Sequence, residues 1–328
     1  MYRKMKKKAR RLLERLRLYK ESFQDATRYF RSASWAGPTE PHCAAHLEAE
    51  LTKHYHVVEK GLAMPEFRAE FGEGVVRRLG ELVLAWERDG RSKTNRTYLV
   101  SLQVLQSYVR KHEELGLDVT DRVPGCLSER SPGGPGVVGG TKPPGVRLEP
   151  GDSEAFDRVA RSRHSVRSFC QDRVPADEVI AEAVEVATCA PSVCNRQTWR
   201  VHVYRGEIAQ EVLKHQNGNR GFGHQTPVVL VVTSDMRYFA EVGERFQPWI
   251  EGGIFSMLLM LALHSRGIAN VALNWSQKNA ADVAMRGTGN IPDHERIIMV
   301  IGCGYPTEDA LVTHSCRHKI DRYVTWHG

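Results

Sequence analysis

The chain has 328 residues, 41% of them hydrophobic and 26% charged, enough apolar material for a sizeable core, so wholesale disorder is excluded. The formal net charge is +7, but Met1 to Arg31 alone holds 12 Lys/Arg against 3 Asp/Glu, a local +9 that leaves the rest near −2. The basicity belongs to an N-terminal arm, so no nucleic-acid partner is expected of the protein as a whole.

Residues 3 to 31 read as a helix, with Leu12, Leu16, Tyr19 and Phe23 at helical spacing and Arg and Lys opposite. The expected role is a solvated helix that packs this stripe on the domain. A second reading is contact with an anionic surface, either a membrane's lipid headgroups or a polyanionic glycan. No apolar run follows the basic start, so no secretory signal is expected.

Residues 38 to 122 carry helical patterns and few strand signals. "PHCAAHLEAELTKHYHVVEKGL" sets His42, His46, Glu50 and His54 on one face, with His56 and Glu59 an i, i+3 pair. Such a row has metal-ligand chemistry. Its spacing matches neither HExxH nor paired ExxH, which favours a polar stripe or a hydrogen-bonded seam, and no metal is expected. "FRAEFGEGVVRRLGELVLAWERDG" and "TYLVSLQVLQSYVRKHEELGL" are two more amphipathic helices. Residues 131 to 152 are dominated by Gly and Pro and have no periodic apolar face. The expected organisation is a helical domain over 1–125, a linker over 126–152 and a second domain over 153–328.

In that second domain helices alternate with strands. "EAFDRVARSRH" is helical, and "ADEVIAEAVEVATCAP" is a helix with Val179, Ala183, Val186 and Ala187 inward, stopped by Pro191. "TWRVHVYR" alternates as a strand, and the β-branched "PVVLVVTSD" reads as a central one. Gly252 to Leu263 run without charge or His, short for a membrane span and right for a buried helix. "ANVALNW" and "RIIMVIGCGYP" are further strands. "GTGNIPDHE" and "NGNRGFG" lack the dinucleotide and P-loop spacings and read as loops, the second as a lid. The seven cysteines are irregularly placed and include no CxxC, which suits a reducing cytoplasm.

Two stretches carry chemistry. "SRHSVRSF" gathers Arg163, His164, Ser165 and Arg167, the paired cations and hydroxyl a phosphate takes. A fixed cation also stabilises the negative charge that a reduced isoalloxazine gathers on one rim. "APSVCNRQTWRVHVY" ends a helix at Pro191 and opens an irregular turn bearing Ser192, Asn195 and Gln197.

These stretches, in this order, resemble the nitroreductase-like, FMN-dependent oxidoreductase family over residues 155 to 328. "SRHSVRSF" is similar to its R-[RH]-S-x-[RK]-x-[FY] opening, and "APSVCNRQTWRVHVY" to its A-P-S-x-x-N-x-Q-P-W segment, with Thr198 in place of Pro. "WIEGGIFSMLLMLALHSRGIANVALNW" is similar to its long central helix and following strand. "IIMVIGCGYPTE" with "CRHKIDRYV" resembles its I-x-x-x-G-x-P strand and C-terminal basic pair. The resemblance implies an α+β fold, a central mixed β-sheet surrounded by helices, here preceded by an all-α N-terminal domain. It implies FMN held by Arg163, His164, Ser165 and Arg167. Pro191, Ser192 and Asn195 would reach it across a homodimer interface. Leu273 and Asn274 would offer backbone near N5, and Arg317 and Lys319 would hold the phosphate.

The function so implied is ping-pong transfer from NADH or NADPH through flavin to an electron-poor small-molecule acceptor, a nitroarene, a quinone or a specialised pathway metabolite. No catalytic side chain is named, because the flavin carries the redox chemistry. "H-x-x-E-K-G-L", His56 to Leu62, resembles helical extensions found alongside surface-polysaccharide biosynthesis. The alternative is a flavin-holding scaffold that docks through its helical domain. The expected setting is cytoplasmic, with a membrane-peripheral variant resting on the basic arm.

Overall fold

The computed structural model describes residues 2–34, 43–123, 138–143, 145 and 147–328, with residues 2–5 and 7–11 described by backbone alone. His42, Cys126 and most of the Gly/Pro-rich stretch lie outside the described residues. Helix α1 spans Tyr2–Ser32. Three helices follow, α2 (Ala44–Leu62), α3 (Glu73–Arg88) and α4 (Arg96–Glu113), the last capped by the Asn95 carboxamide, which accepts from the N–H groups of Thr97 and Tyr98. Leu51, Val58, Val76, Leu79, Leu82, Val104, Leu105 and Tyr108 close into one core between them.

The second half is built on four strands, β1 (Trp199–Arg205), β2 (Val228–Asp235), β3 (Ala269–Asn274) and β4 (Glu295–Gly304), in the order β1-β2-β4-β3. All three pairings are antiparallel. Among the described residues the expected mixed character shrinks to a single parallel bridge, from Ser165 outside the strands to Asn270 of β3. The β-branched run is β2, central and buried at every residue. Alternate residues serve opposite faces. Val229 and Val231 join the core under α7 (Gly206–Leu213) and α9 (Asn279–Gly289). Val228, Leu230 and Val232 join the core under α6 (Asp177–Ala187) and α8 (Gln247–Ser265). Helix α5 (Asp152–Ser162) precedes this layer.

Helix α8 is the expected buried helix. By length and composition the stretch Val242–Ser265 could cross a membrane, but half of it is buried inside the molecule. At Gly252 it meets the sheet, where a Cβ would come within 2.6 Å of Ile298. On α6 the inward face is Ile180, Ala183 and Ala187, whereas Val186 is exposed. The spacing i, i+3, i+7 from Ile180 defines the stripe, and Val186 falls off it. The glycines of "GTGNIPDHE" close the last turn of α9, ended by Asn290 in the left-handed region, so that stretch is only in part a loop.

Helix α1 corrects a further expectation. Among the described residues its apolar stripe stays unburied: Leu12, Leu16, Tyr19 and Phe23 are all more than half exposed. The helix docks instead by its polar side. Glu21 accepts from the backbone N–H and carboxamide of Asn279, Asp25 pairs with Arg296, and Arg28 pairs with Asp282. Only at its end do Tyr29 and Ala33 reach apolar partners, Met236 and Phe239.

Candidate flavin site

Arg163 follows α5 immediately, in extended backbone that turns the chain toward β3. Val166 donates its N–H to the Asn270 carbonyl at 3.2 Å, which fastens the segment to the sheet edge. The Arg163 guanidinium is half-buried, and its Nη1 has no hydrogen-bond partner. Its pKa is lowered, first by burial and then by the nearness of Arg317. His264, in the last turn of α8, is lowered by burial and by Arg163 and His164. Four cationic or potentially cationic groups thus converge. Among the described residues no carboxylate pairs with Arg163, Arg167 or Arg317. A buried cation without an anion is costly, and paired guanidiniums are the donor set that phosphate takes bidentately. The residues therefore fit the phosphate end of a flavin nucleotide.

Further along, Arg167 donates to the Ser165 carbonyl at 3.2 Å and lies over the Phe222 ring, 5.9 Å from its centre. Phe222 belongs to the Gly-rich 217–223 stretch. Gln216, just before it, donates to the Asn274 carbonyl at 2.8 Å. The expected lid is therefore fastened at one end to the edge strand β3 and touches Arg167. Leu273 is buried in the sheet core and Asn274 is exposed. The chain runs on through Arg317, whose guanidinium donates to the Ser315 carbonyl, to exposed Lys319.

Pro191, Ser192 and Asn195 stand elsewhere. Their loop is anchored to the other end of α8, where Val193 donates its N–H to the Glu251 carboxylate at 2.8 Å. Glu251 precedes His264 by thirteen residues on that helix, roughly 20 Å of rise. Within one chain the two sets do not meet. The loop is strained, with Cys194, Asn195 and Gln197 all at positive φ. It is held by groups the sequence reading missed. The Thr198 hydroxyl, at the expected proline position, donates to Glu251 at 3.2 Å, and burial raises the Glu251 pKa. Arg196 is buried, pairs with Glu244 and donates to the Tyr238 carbonyl at 2.7 Å. A lone Glu in the apolar run of α8 was the available signal, since a buried charge must have partners.

The helical half reaches the same loop. Burial raises the pKa of the Tyr55 phenol of α2, and the side chains of Thr52 and Asn195 beside it oppose the shift. Glu48 accepts from Asn95 at 2.6 Å and from Tyr238 at 2.7 Å. Between α2, α4 and the loop lies a cavity of about 610 Å³ lined by Tyr55, Glu59, Arg96, Asn195, Gln197 and Arg200 among others. The described histidines of the row bond within the chain. His46 bonds the Ser32 carbonyl, His54 the Glu50 carbonyl and His56 the Glu59 carboxylate.

The second half is thus an antiparallel sheet sandwiched by helices, with a cluster of cations at its edge. Comparison with known proteins says what it is similar to. The model of the Nitroreductase family matches residues 160–217 and 207–305, both within the C-terminal half of the chain. A protein named NADH dehydrogenase from Thermus thermophilus is 26% identical over 199 residues, covering 51% of this chain and 94% of its own. The 4-nitrobenzoate reductase of a Nocardioides species is 25% identical over 227 residues, covering 53% and 90%. A solved nitroreductase-family structure from Streptococcus pneumoniae is 22% identical and covers 52% of this chain and 100% of its own, with a TM-score of 0.46.

Proposed function

We propose that this protein binds FMN and passes reducing equivalents from NADH or NADPH to an electron-poor small molecule. The observation that carries the reading is the unpartnered Arg163 Nη1 beside Arg317. In this reading Arg163, His164, Ser165, Arg317 and Lys319 hold the phosphate end. Arg167 and the β3 edge at Leu273 and Asn274 border the ring, with Arg167 balancing negative charge on its rim. When bound, the flavin supplies the hydride and electron chemistry that the side chains lack. The 216–223 stretch shields that side from water, and no protein acid or base is required.

The separation of roughly 20 Å along α8 supports a homodimer in which Pro191, Ser192 and Asn195 complete a partner's site. The cavity beside that loop is then the natural place for an acceptor. We read residues 1–125, 126–152 and 153–328 as helical domain, linker and flavin domain, in a cytoplasmic setting. The test is anaerobic mixing of FMN-loaded protein with NADH or NADPH, followed by nitroarene or quinone. Bleaching and then recovery of the flavin colour is expected. Protein that takes up no FMN overturns the reading, and bound flavin that neither nicotinamide reduces favours the scaffold alternative.

A further inference from the structure

Helix α1 turns its apolar stripe away from the described residues that anchor it. The anchoring residues Glu21, Asp25, Arg28 and Tyr29 fall on one side of a helix with 100° per residue. Leu12, Leu16, Tyr19 and Phe23 fall on the opposite side, with Tyr19 and Phe23 each 73% exposed. At the base of the helix the patch continues onto the body. Phe23, Tyr29 and Phe30 line an apolar groove of about 360 Å³ with Val242 and Arg245, and Val242 and Phe246 beside it are themselves exposed. An outward apolar patch of this extent on a soluble fold marks an interaction surface.

Charge selects the occupant. The stripe is flanked by Arg15 and Lys20, with Arg245 at its base, and follows a run of Lys and Arg over residues 3 to 11. Of the three acids in the arm, Glu21 and Asp25 are engaged with the body and Glu14 bonds Arg17. A second α1 would bring the same cations to the seam, where like-charged flanks repel. The aromatics Tyr19, Phe23 and Phe30, and the participation of a separate turn at 242–246, suit a flat acceptor better than one helix groove. We propose that α1 and the 242–246 turn form a peripheral docking face for an anionic lipid surface. The apolar stripe lies in the headgroup boundary and the cations lie over the phosphates. The inference is independent of the flavin reading.

The test is flotation of the full chain, with flavin if it binds, on phosphatidylcholine vesicles with and without phosphatidylglycerol. Binding to the anionic vesicles alone is expected, weakening as salt rises. Leu16→Glu with Phe23→Glu should lower the bound fraction roughly tenfold or more, with melting temperature and flavin content unchanged. Arg15→Gln with Lys20→Gln should weaken binding while sparing the fold. Absence of flotation at low salt overturns the proposal. So does flotation unaffected by either pair, or a loss of dimer mass in the Glu variant, which would give the stripe to a second copy.

Discussion

Removing the Arg163 guanidinium should move two quantities in opposite directions. In the protein without ligand, this group is half-buried, its Nη1 has no partner, and Arg317 lowers its pKa through like charge. Truncation by Arg163→Ala therefore removes an unfavourable placement, and the ligand-free melting temperature should hold or rise by about 2 °C. Flavin binding should suffer. A hydrogen bond to a charged group contributes about 1.5–3 kcal/mol, and partial exposure of the site pulls this toward the low end. At 1.4 kcal/mol per factor of ten, the FMN dissociation constant should rise about tenfold to a hundredfold. Riboflavin lacks the phosphate, so its affinity should change by less than about threefold. Fluorescence titration with both flavins reads the difference directly. Equal weakening of FMN and riboflavin would assign Arg163 to the ring, and a large fall in ligand-free stability would assign it to the fold. Either result refutes the phosphate argument.

Arg167→Ala should leave FMN affinity nearly intact but lower the bound flavin's midpoint potential by about 20–40 mV, the equivalent of 1–2 kcal/mol; spectroelectrochemical titration checks it. Arg196→Met removes the cation from partly buried Glu244, whose carboxylate keeps the N–H groups of Ala240 and Glu241, so urea unfolding should register a loss of about 1–3 kcal/mol. Glu251 gives a pH prediction. Burial raises its pKa above the ordinary 4.5 although Val193 and Thr198 donate to it. The native state therefore binds the proton more tightly than the unfolded chain, and stability falls as pH rises from about 4.5 through the native value. Glu251→Gln keeps an acceptor for the Val193 N–H and cannot titrate. Its unfolding free energy should be flatter over that window, as measured by urea melts at successive pH values.

Much of the flavin domain was legible because its signals are local. The β-branched run of β2 has one outcome, burial on both faces, and Pro191 and Gly267 bound their helices in the sequence itself. Helix α7 escaped because it is only 8 residues long, too short for periodicity to stand out, and α9 because its last turn carries Gly287 and Gly289, which read as loop. The outward turn of α1 was illegible for a different reason. An amphipathic pattern says that one face is apolar, but not which face finds partners. Asp282, Asn279 and Arg296, more than 250 residues downstream, decided it.

The site divides along the same line. "SRHSVRSF" announces its cations in eight residues, and the structure needed only to bring Arg317 beside Arg163 and His264 beneath them. The Pro191 to Thr198 loop announces short polar groups but not what fixes them. Its three positive-φ residues are strained positions that must be held by their surroundings, and the holders are Glu251 from α8 and Glu244 through Arg196, with Tyr55 of the helical half facing Asn195 across the cavity. None of these adjoins the loop in sequence. Thr198 makes the point in one residue. Where a proline would stiffen the turn by its ring, the threonine does so through a hydrogen bond to a buried carboxylate. The helical half, by reaching Asn195 through Tyr55, is then part of what shapes the loop that a flavin would meet.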